Sequence, residues 1–133
     1  MTLSYLVDTD WVIHWLNGRA AIVKRLDELK EQGLGLSTIS LAELYEGVYY
    51  SRDANRSELI LNDFLKGVTL IGINEETSQL FGKERGRLRS IGRIISDFDL
   101  LIGITARQND LTLLTNNRRH FENIEGLRIE SLP

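Results

Sequence analysis

The chain contains no cysteine, and its one proline is the final residue, Pro133. Without cysteine there can be neither a disulfide framework nor a thiolate metal site, which rules out zinc fingers and fits a reducing, cytoplasmic setting. Without internal proline, repeats or low-complexity tracts nothing divides the chain, so residues 1–133 are expected to form a single domain. Long hydrophobic runs are missing as well. No apolar stretch approaches the ~20 residues needed to cross a bilayer, and the N-terminus lacks a basic segment followed by an apolar one. Membrane insertion and secretion are therefore not expected. Positive charge is not in surplus: 16 Lys and Arg stand against 19 Asp and Glu, a net charge of -3. Such a molecule does not coat nucleic acid with its whole surface. What is present, 42% hydrophobic and 26% charged residues, is enough to build a real core.

Apolar segments of two kinds alternate along the chain. Residues 3–7, about 34–38, Val68 to Ile71, "LTLLT" at 111–115 and "LRIESL" at 127–132 read as strands, the last of them a closing edge. Between them, helical spacing is visible in Ile22, Val23, Leu26 and Leu29, closed by Gly33. Further helices are expected at about 40–51, 56–66, 75–91 and 98–108, with Leu80, Phe81, Leu88 and Ile91 forming the apolar side of the fourth segment. Strands alternating with helices imply crossover connections and an α/β fold of three layers, α/β/α, around a mostly parallel sheet. In such sheets ligands bind beyond the carboxyl ends of the strands, so the residues that follow each strand matter most.

Those residues are acidic. Asp8 and Asp10 follow the first strand, Glu43 in "STISLAELYEG" follows the second, and Asn116 and Asn117 follow "LTLLT". Asp97 and Asp99 in "ISDFDLLIG" open a helix that faces the same rim. Ordinary structural roles compete at most of these positions. Ser40 with Glu43 is a capping-box pattern, Asp97 or Asp99 suits a helix N-cap, and Asp10 suits the cap of the helix bearing Trp11 and Trp15. Asn-Asn suits a turn. Asp8 alone has no such alternative. Taken together the acids need a cation, because carboxylates converging at ~5 Å repel by roughly 3 kcal/mol per pair at an effective dielectric of about 20. Oxygen ligands without thiolates favour a hard ion, Mg2+ or Mn2+, and the reaction class these serve is metal-assisted phosphodiester hydrolysis.

The segments "LVDTDWVI", "LSTISLAELYEG", "IGRIISDFDLLIGITARQNDLTLLTNN" and "RRHFENIEGLRI" resemble the PIN-domain ribonucleases, in particular the VapC toxins of toxin–antitoxin pairs. The likeness spans nearly the whole chain, and the DxDLLIG core with TNN after the strand is its most specific part. It implies a PIN-like nuclease domain that cleaves RNA, such as tRNA or rRNA, with Mg2+ or Mn2+, and that a small antitoxin neutralises. It further implies a homodimer that can enter a larger toxin–antitoxin assembly. Asp8, Glu43 and Asp99 match the family's acidic positions, and Asn117 falls where many members carry a fourth acid. On that reading Asp8, Asp99 and Asn117 hold the metal directly or through water, while Glu43 holds or activates the attacking water. Thr115 matches a hydroxyl near the site. Asp97 is a substitute for the missing fourth charge, and Asp10 ranks below the other acids.

The surfaces beside this edge suggest further roles. Lys83, Arg85, Arg87, Arg89 and Arg93 fall in one short stretch with Glu84 as its only acid. Arg85, Arg89 and Arg93 recur at helical spacing, an arrangement that serves either as a solvated flank or as a phosphate track extended by Arg118, Arg119 and His120. His120 is read as a surface residue rather than a base. Glu84, within the apolar side of its helix, is expected to pair with a neighbouring arginine. Trp15, Tyr45 and Tyr49 are assigned to contact with the antitoxin or another partner chain. Two other readings stand beside the nuclease. "VDTDWV" fits the Asp-x-Asp start of haloacid-dehalogenase-type phosphatases, with Asp8 as nucleophile, although no lysine follows a strand where those enzymes need one. A non-catalytic binding module with a decayed site is the other, favoured only by Asn117.

Overall fold

The computed structural model describes residues 2–133. Five short strands, β1 (Tyr5–Val7), β2 (Leu34–Ser37), β3 (Thr69–Ile71), β4 (Thr112–Leu114) and β5 (Ile129–Glu130), form one sheet in the order β3-β2-β1-β4-β5, every neighbouring pair parallel. The expected α/β fold with a parallel sheet is what forms.

Helices α1 (Thr9–Leu16) and α2 (Ala20–Leu29) connect β1 to β2, while α3 (Thr38–Tyr49) and α4 (Ala54–Leu65) connect β2 to β3. On the far side, α5 (Glu75–Ser90) and α6 (Asp97–Gln108) lead to β4, and α7 (Arg118–Phe121) leads to β5. The chain winds away from β1 in one direction through β2 and β3, then returns to pair β4 on the other side. The gap between β1 and β4 at their carboxyl ends is thus the switch point of the sheet, where parallel α/β folds hold ligands.

Strand alternation divides the core into two layers. Val7 and Leu114 are paired in register and face α1 to α4, in a cluster with Trp11, Leu36, Leu61 and Phe64. Their neighbours Leu6 and Leu113, also paired, face the opposite way and pack with Leu88, Leu100, Ile104 and Phe121. Each such side chain contributes roughly 1.5–3 kcal/mol by leaving water, so the central strands fix which way the flanking residues point. Gly33 closes the turn after α2 at φ 91°, and a Cβ there would collide with the Thr2 carbonyl oxygen.

Several boundaries differ from the sequence reading, each for a local reason. The cap of α3 is Ser37, whose hydroxyl accepts from Ile39 N at 3.1 Å, so Ser40 and Glu43 do not form a capping box and Glu43 lies beyond the first turn. Ser96, not Asp97 or Asp99, caps α6. Asp8 rather than Asp10 caps α1. Helix α5 ends at Ser90 and Gly92 takes φ 70°, which carries Arg93 off the helical row of Arg85 and Arg89 and leaves Ile91 exposed rather than packed. The short helix α7 had no periodic signal, because one turn cannot show one.

Candidate active site at the strand ends

Beyond the carboxyl ends of β1 and β4, Asp8, Thr9, Asp10, Ile13, Glu43, Ser96, Asp97, Phe98, Asp99, Asn117 and His120 line one open cleft of about 540 Å3. Residues from α1, α3, α6 and α7 thus meet at the rim that the alternation predicted. Among the described residues no lysine or arginine lines this cleft.

Asp8 forms its floor. The sheet continues past β1, with Asp8 N donating to Leu114 O at 3.0 Å, so the carboxylate is carried inward until only 3% of the residue is exposed. It accepts from Thr9 N at 2.8 Å and from the Thr115 hydroxyl at 2.7 Å. Burial pushes its pKa up to about 7; the Thr115 bond opposes that rise and the charge of Asp10 adds to it. Two neutral donors do not replace a counter-ion.

Thr115 couples the two central strands. Its single proton goes to Asp8, and its oxygen accepts from Asn117 N at 3.0 Å, while the 3.3 Å approach to Asp10 is the weaker contact. Asp10 instead accepts from Asn116 N at 2.9 Å. Asn116 in turn accepts from Trp11 Nε1 at 3.0 Å and Leu132 N at 2.9 Å. Asp10 and Asn116 therefore hold the turn after β4, and Asn117 is left at the helix start with no cap bond from its side chain.

Glu43 faces the floor from α3 and accepts from the Thr9 hydroxyl at 2.7 Å. Burial raises its pKa; the Thr9 bond opposes this, and the charge of Asp99 adds to it. That Asp99 acts on Glu43 at all shows that the two acids share one field. Asp97 is turned outward to Arg85, 2.6 Å away, and Arg85 also donates to Ile95 O at 2.6 Å. Asp97 accordingly comes with its own cation and does not supply the missing fourth charge on the floor.

Residues 5–127 match the family model described as PIN domain. The chain belongs to the PIN-domain family. It is 30% identical over 129 residues to Ribonuclease VapC2 of Haemophilus influenzae, covering 97% of this chain and 98% of that protein. To the tRNA(fMet)-specific endonuclease VapC of Shigella flexneri it is 28% identical over 128 residues, covering 96% and 97%. Its fold matches the solved structure of VapBC2 from Rickettsia felis bound to a DNA fragment from their promoter, with a TM-score of 0.92 and 28% identity over 98% of this chain and 100% of that one. The resemblance to VapC ribonucleases drawn from the motifs is borne out, and the phosphatase reading is set aside.

Ribonucleases of the PIN family are in general dependent on a divalent metal ion. The residues here fit such an ion: a buried carboxylate without a counter-charge, a second acid beside it, and Asn117 and Asp99 on the same cleft. Among the described residues, no three acids or histidines stand close enough to hold one ion together. The donor set therefore suits a hard cation that keeps several of its own waters. On α3, the buried Ser40 hydroxyl, one turn before Glu43, has no hydrogen-bond partner.

In this PIN domain three functional neighbours escape the sequence reading. Thr9 lies between two aspartates, and a hydroxyl beside them is the signal that points to it. His120, read as a surface residue, places Nδ1 3.2 Å from Asp99 Oδ2. Phe98 sits between Asp97 and Asp99 and lines the cleft. Among the arginines, Arg118 reaches Ser131 Oγ at 3.1 Å and so holds the β5 edge. Arg89, Arg93 and Arg119 are exposed and make no ion pair among the described residues. Glu84 is bound by Arg87 through both oxygens at 3.0 and 2.8 Å, as expected, and also accepts from Glu125 N. Trp15 packs edge-on against Phe64 at 5.1 Å, while Tyr45 and Tyr49 stack at 6.1 Å with Tyr49 largely exposed.

Proposed function

We propose that the chain is a metal-dependent endoribonuclease, the toxin of a toxin–antitoxin pair, acting as one PIN-like unit. The observation that carries this reading is the convergence of Asp8, Glu43 and Asp99 with Asn117 on one cleft that, among the described residues, no lysine or arginine lines. Relatives that match over nearly the full length are named ribonucleases and an endonuclease, and a matched structure is a VapBC complex.

Mg2+ or Mn2+, when bound, polarises the phosphoryl group, generates the nucleophile and offsets charge on the leaving oxygen. Asp8 and Asp99 would hold the ion, and Asn117 on the same cleft would add an uncharged oxygen. Thr9 N and the Thr115 hydroxyl each donate to one Asp8 oxygen and so fix the orientation of this carboxylate. Glu43, its orientation set by Thr9 and its proton affinity raised, accepts the proton of the attacking water. Arg89, Arg93 and Arg119 attract the phosphate backbone from outside the cleft; Arg85 and Arg118 are committed to protein contacts and contribute less.

The antitoxin is proposed to contact the aromatic side of α1, α3 and α4. Trp15 lines a second groove of about 840 Å3 with Val23, Leu26, Phe64 and Val68, rimmed by Lys24, Lys30 and Lys66. Tyr45 and Tyr49 lie along α3. A homodimer and a cytoplasmic location accompany this reading; among the described residues no helix is long and apolar enough to cross a membrane.

The test is cleavage of total RNA by purified protein with and without Mg2+ or Mn2+, followed by sequencing of the new ends. The expected result is discrete cuts that require the metal and vanish in Asp8→Asn. Metal-independent cuts, or cuts retained in Asp8→Asn, would refute the reading. An intact fold that binds RNA but never cuts it would favour the decayed-site alternative.

A further inference from the structure

The cleft has a polar floor and two apolar lips. Ile13, on α1 one turn beyond Asp10, is 46% exposed, and Phe98, on α6 between Asp97 and Asp99, is 51% exposed; both line the acid cleft itself. Neither belongs to either core cluster, and Phe98 is the only aromatic carbocycle among the cleft-lining residues. A half-exposed phenyl ring outside both core clusters, on a cleft otherwise lined mostly by polar side chains, is placed to meet a ligand.

Resting on the ribonuclease reading, we infer that Phe98, with Ile13 on the same cleft, is the platform on which an unpaired base next to the scissile phosphate stacks. The geometry of a nucleotide demands such a wall. If the phosphate lies over Asp8, Glu43 and Asp99, the attached base must leave the floor, and the apolar side chains lining the cleft are Ile13 and Phe98. Stacking on a ring face needs no particular base and is available only to unstacked, single-stranded nucleotides. A protein partner fits these lips poorly, because the other residues lining the cleft are acidic or polar and make no continuous apolar groove, and Asp97 and Asp99 are the neighbours of the ring on its own helix. Arg85, 5.3 Å from the Phe81 ring and bonded to Asp97, fixes the start of α6 and so the position of Phe98.

The test is a cycle between enzyme and substrate. A short single-stranded RNA bearing a mapped cleavage site is compared with the same RNA made abasic at either flanking nucleotide, using the parent protein, Phe98→Ala and Phe98→Trp. Phe98→Ala is expected to raise KM by roughly tenfold on the intact RNA, with Phe98→Trp near the parent. On one of the two abasic RNAs the difference between parent and Phe98→Ala should vanish. Equal losses on intact and abasic RNA, or no loss at all, would overturn the assignment. So would a Phe98→Ala protein that cleaves normally but fails to self-associate, since the ring would then belong to a protein interface. Fluorescence anisotropy of the labelled RNA without metal provides the same comparison for binding alone. If no RNA is cleaved, the same anisotropy comparison on an unstructured single-stranded RNA, with binding weakened in Phe98→Ala, would refute the ribonuclease reading while leaving the platform standing.

Discussion

Asp8 carries a charge that its surroundings do little to support, and two consequences follow at the scale of single residues. Its pKa in the folded protein, about 7, lies above the ordinary 3.8, so the folded state binds the proton more tightly than the unfolded one. The stability from this group is fully present below about pH 4 and is lost as pH rises toward 7. In metal-free protein, Asp8→Asn should remove that slope and raise stability at pH 8 by roughly 2–4 kcal/mol, measured by urea unfolding, while abolishing cleavage. Added Mn2+ should stabilise the parent more at pH 8 than at pH 5, and the Asn variant at neither. Thr9 offers a second residue-scale test. Its hydroxyl lowers the pKa of Glu43, so Thr9→Val should move the acid limb of the cleavage rate profile to higher pH. An unmoved limb would mean that Glu43 is not the group that titrates.

At the scale of elements, the turn between α2 and β2 is set by Gly33. Its positive φ and the close Thr2 carbonyl leave no room for a side chain, so Gly33→Ala should destabilise the fold by about 2 kcal/mol or more without altering metal affinity in the fraction that remains folded. Gly33 was readable as a helix stop, and so were the strands, because Leu6, Val7, Leu113 and Leu114 are apolar on both faces and cannot be surface. Less legible were the caps. Ser37, Ser96 and Asp8 all precede a second plausible capping residue, and choosing between Ser37 and Ser40 requires knowing where β2 stops, which depends on its pairing with β3. The arginine row failed for a related reason: helical spacing persists in the letters to Arg93, whereas the backbone turns at Gly92. Phe98 was passed over although it stands between Asp97 and Asp99, because a phenyl ring carries no ligand chemistry, and His120 was read as a surface residue because its approach to Asp99 is made only by the packing of α7 against α6.

At the scale of the whole molecule, a net charge of -3 and an acidic cleft must still receive a polyanion. The exposed arginines make this possible without charging the floor. Reversing Arg89, Arg93 and Arg119 to Glu should weaken binding of single-stranded RNA uniformly across sequences and flatten its dependence on salt by ~0.7 in slope for each phosphate that is no longer neutralised. Thermal stability should hardly change, since these residues make no ion pair among the described residues. The acids come from the end of β1 and from α1, α3 and α6, and a bound divalent ion should mark their meeting point. Anomalous diffraction from crystals soaked in Mn2+ measures this directly. The expected result is a peak in the cleft lined by Asp8 and Asp99; a cleft without a peak at saturating Mn2+, or a peak bound only elsewhere, would contradict the metal-dependent reading.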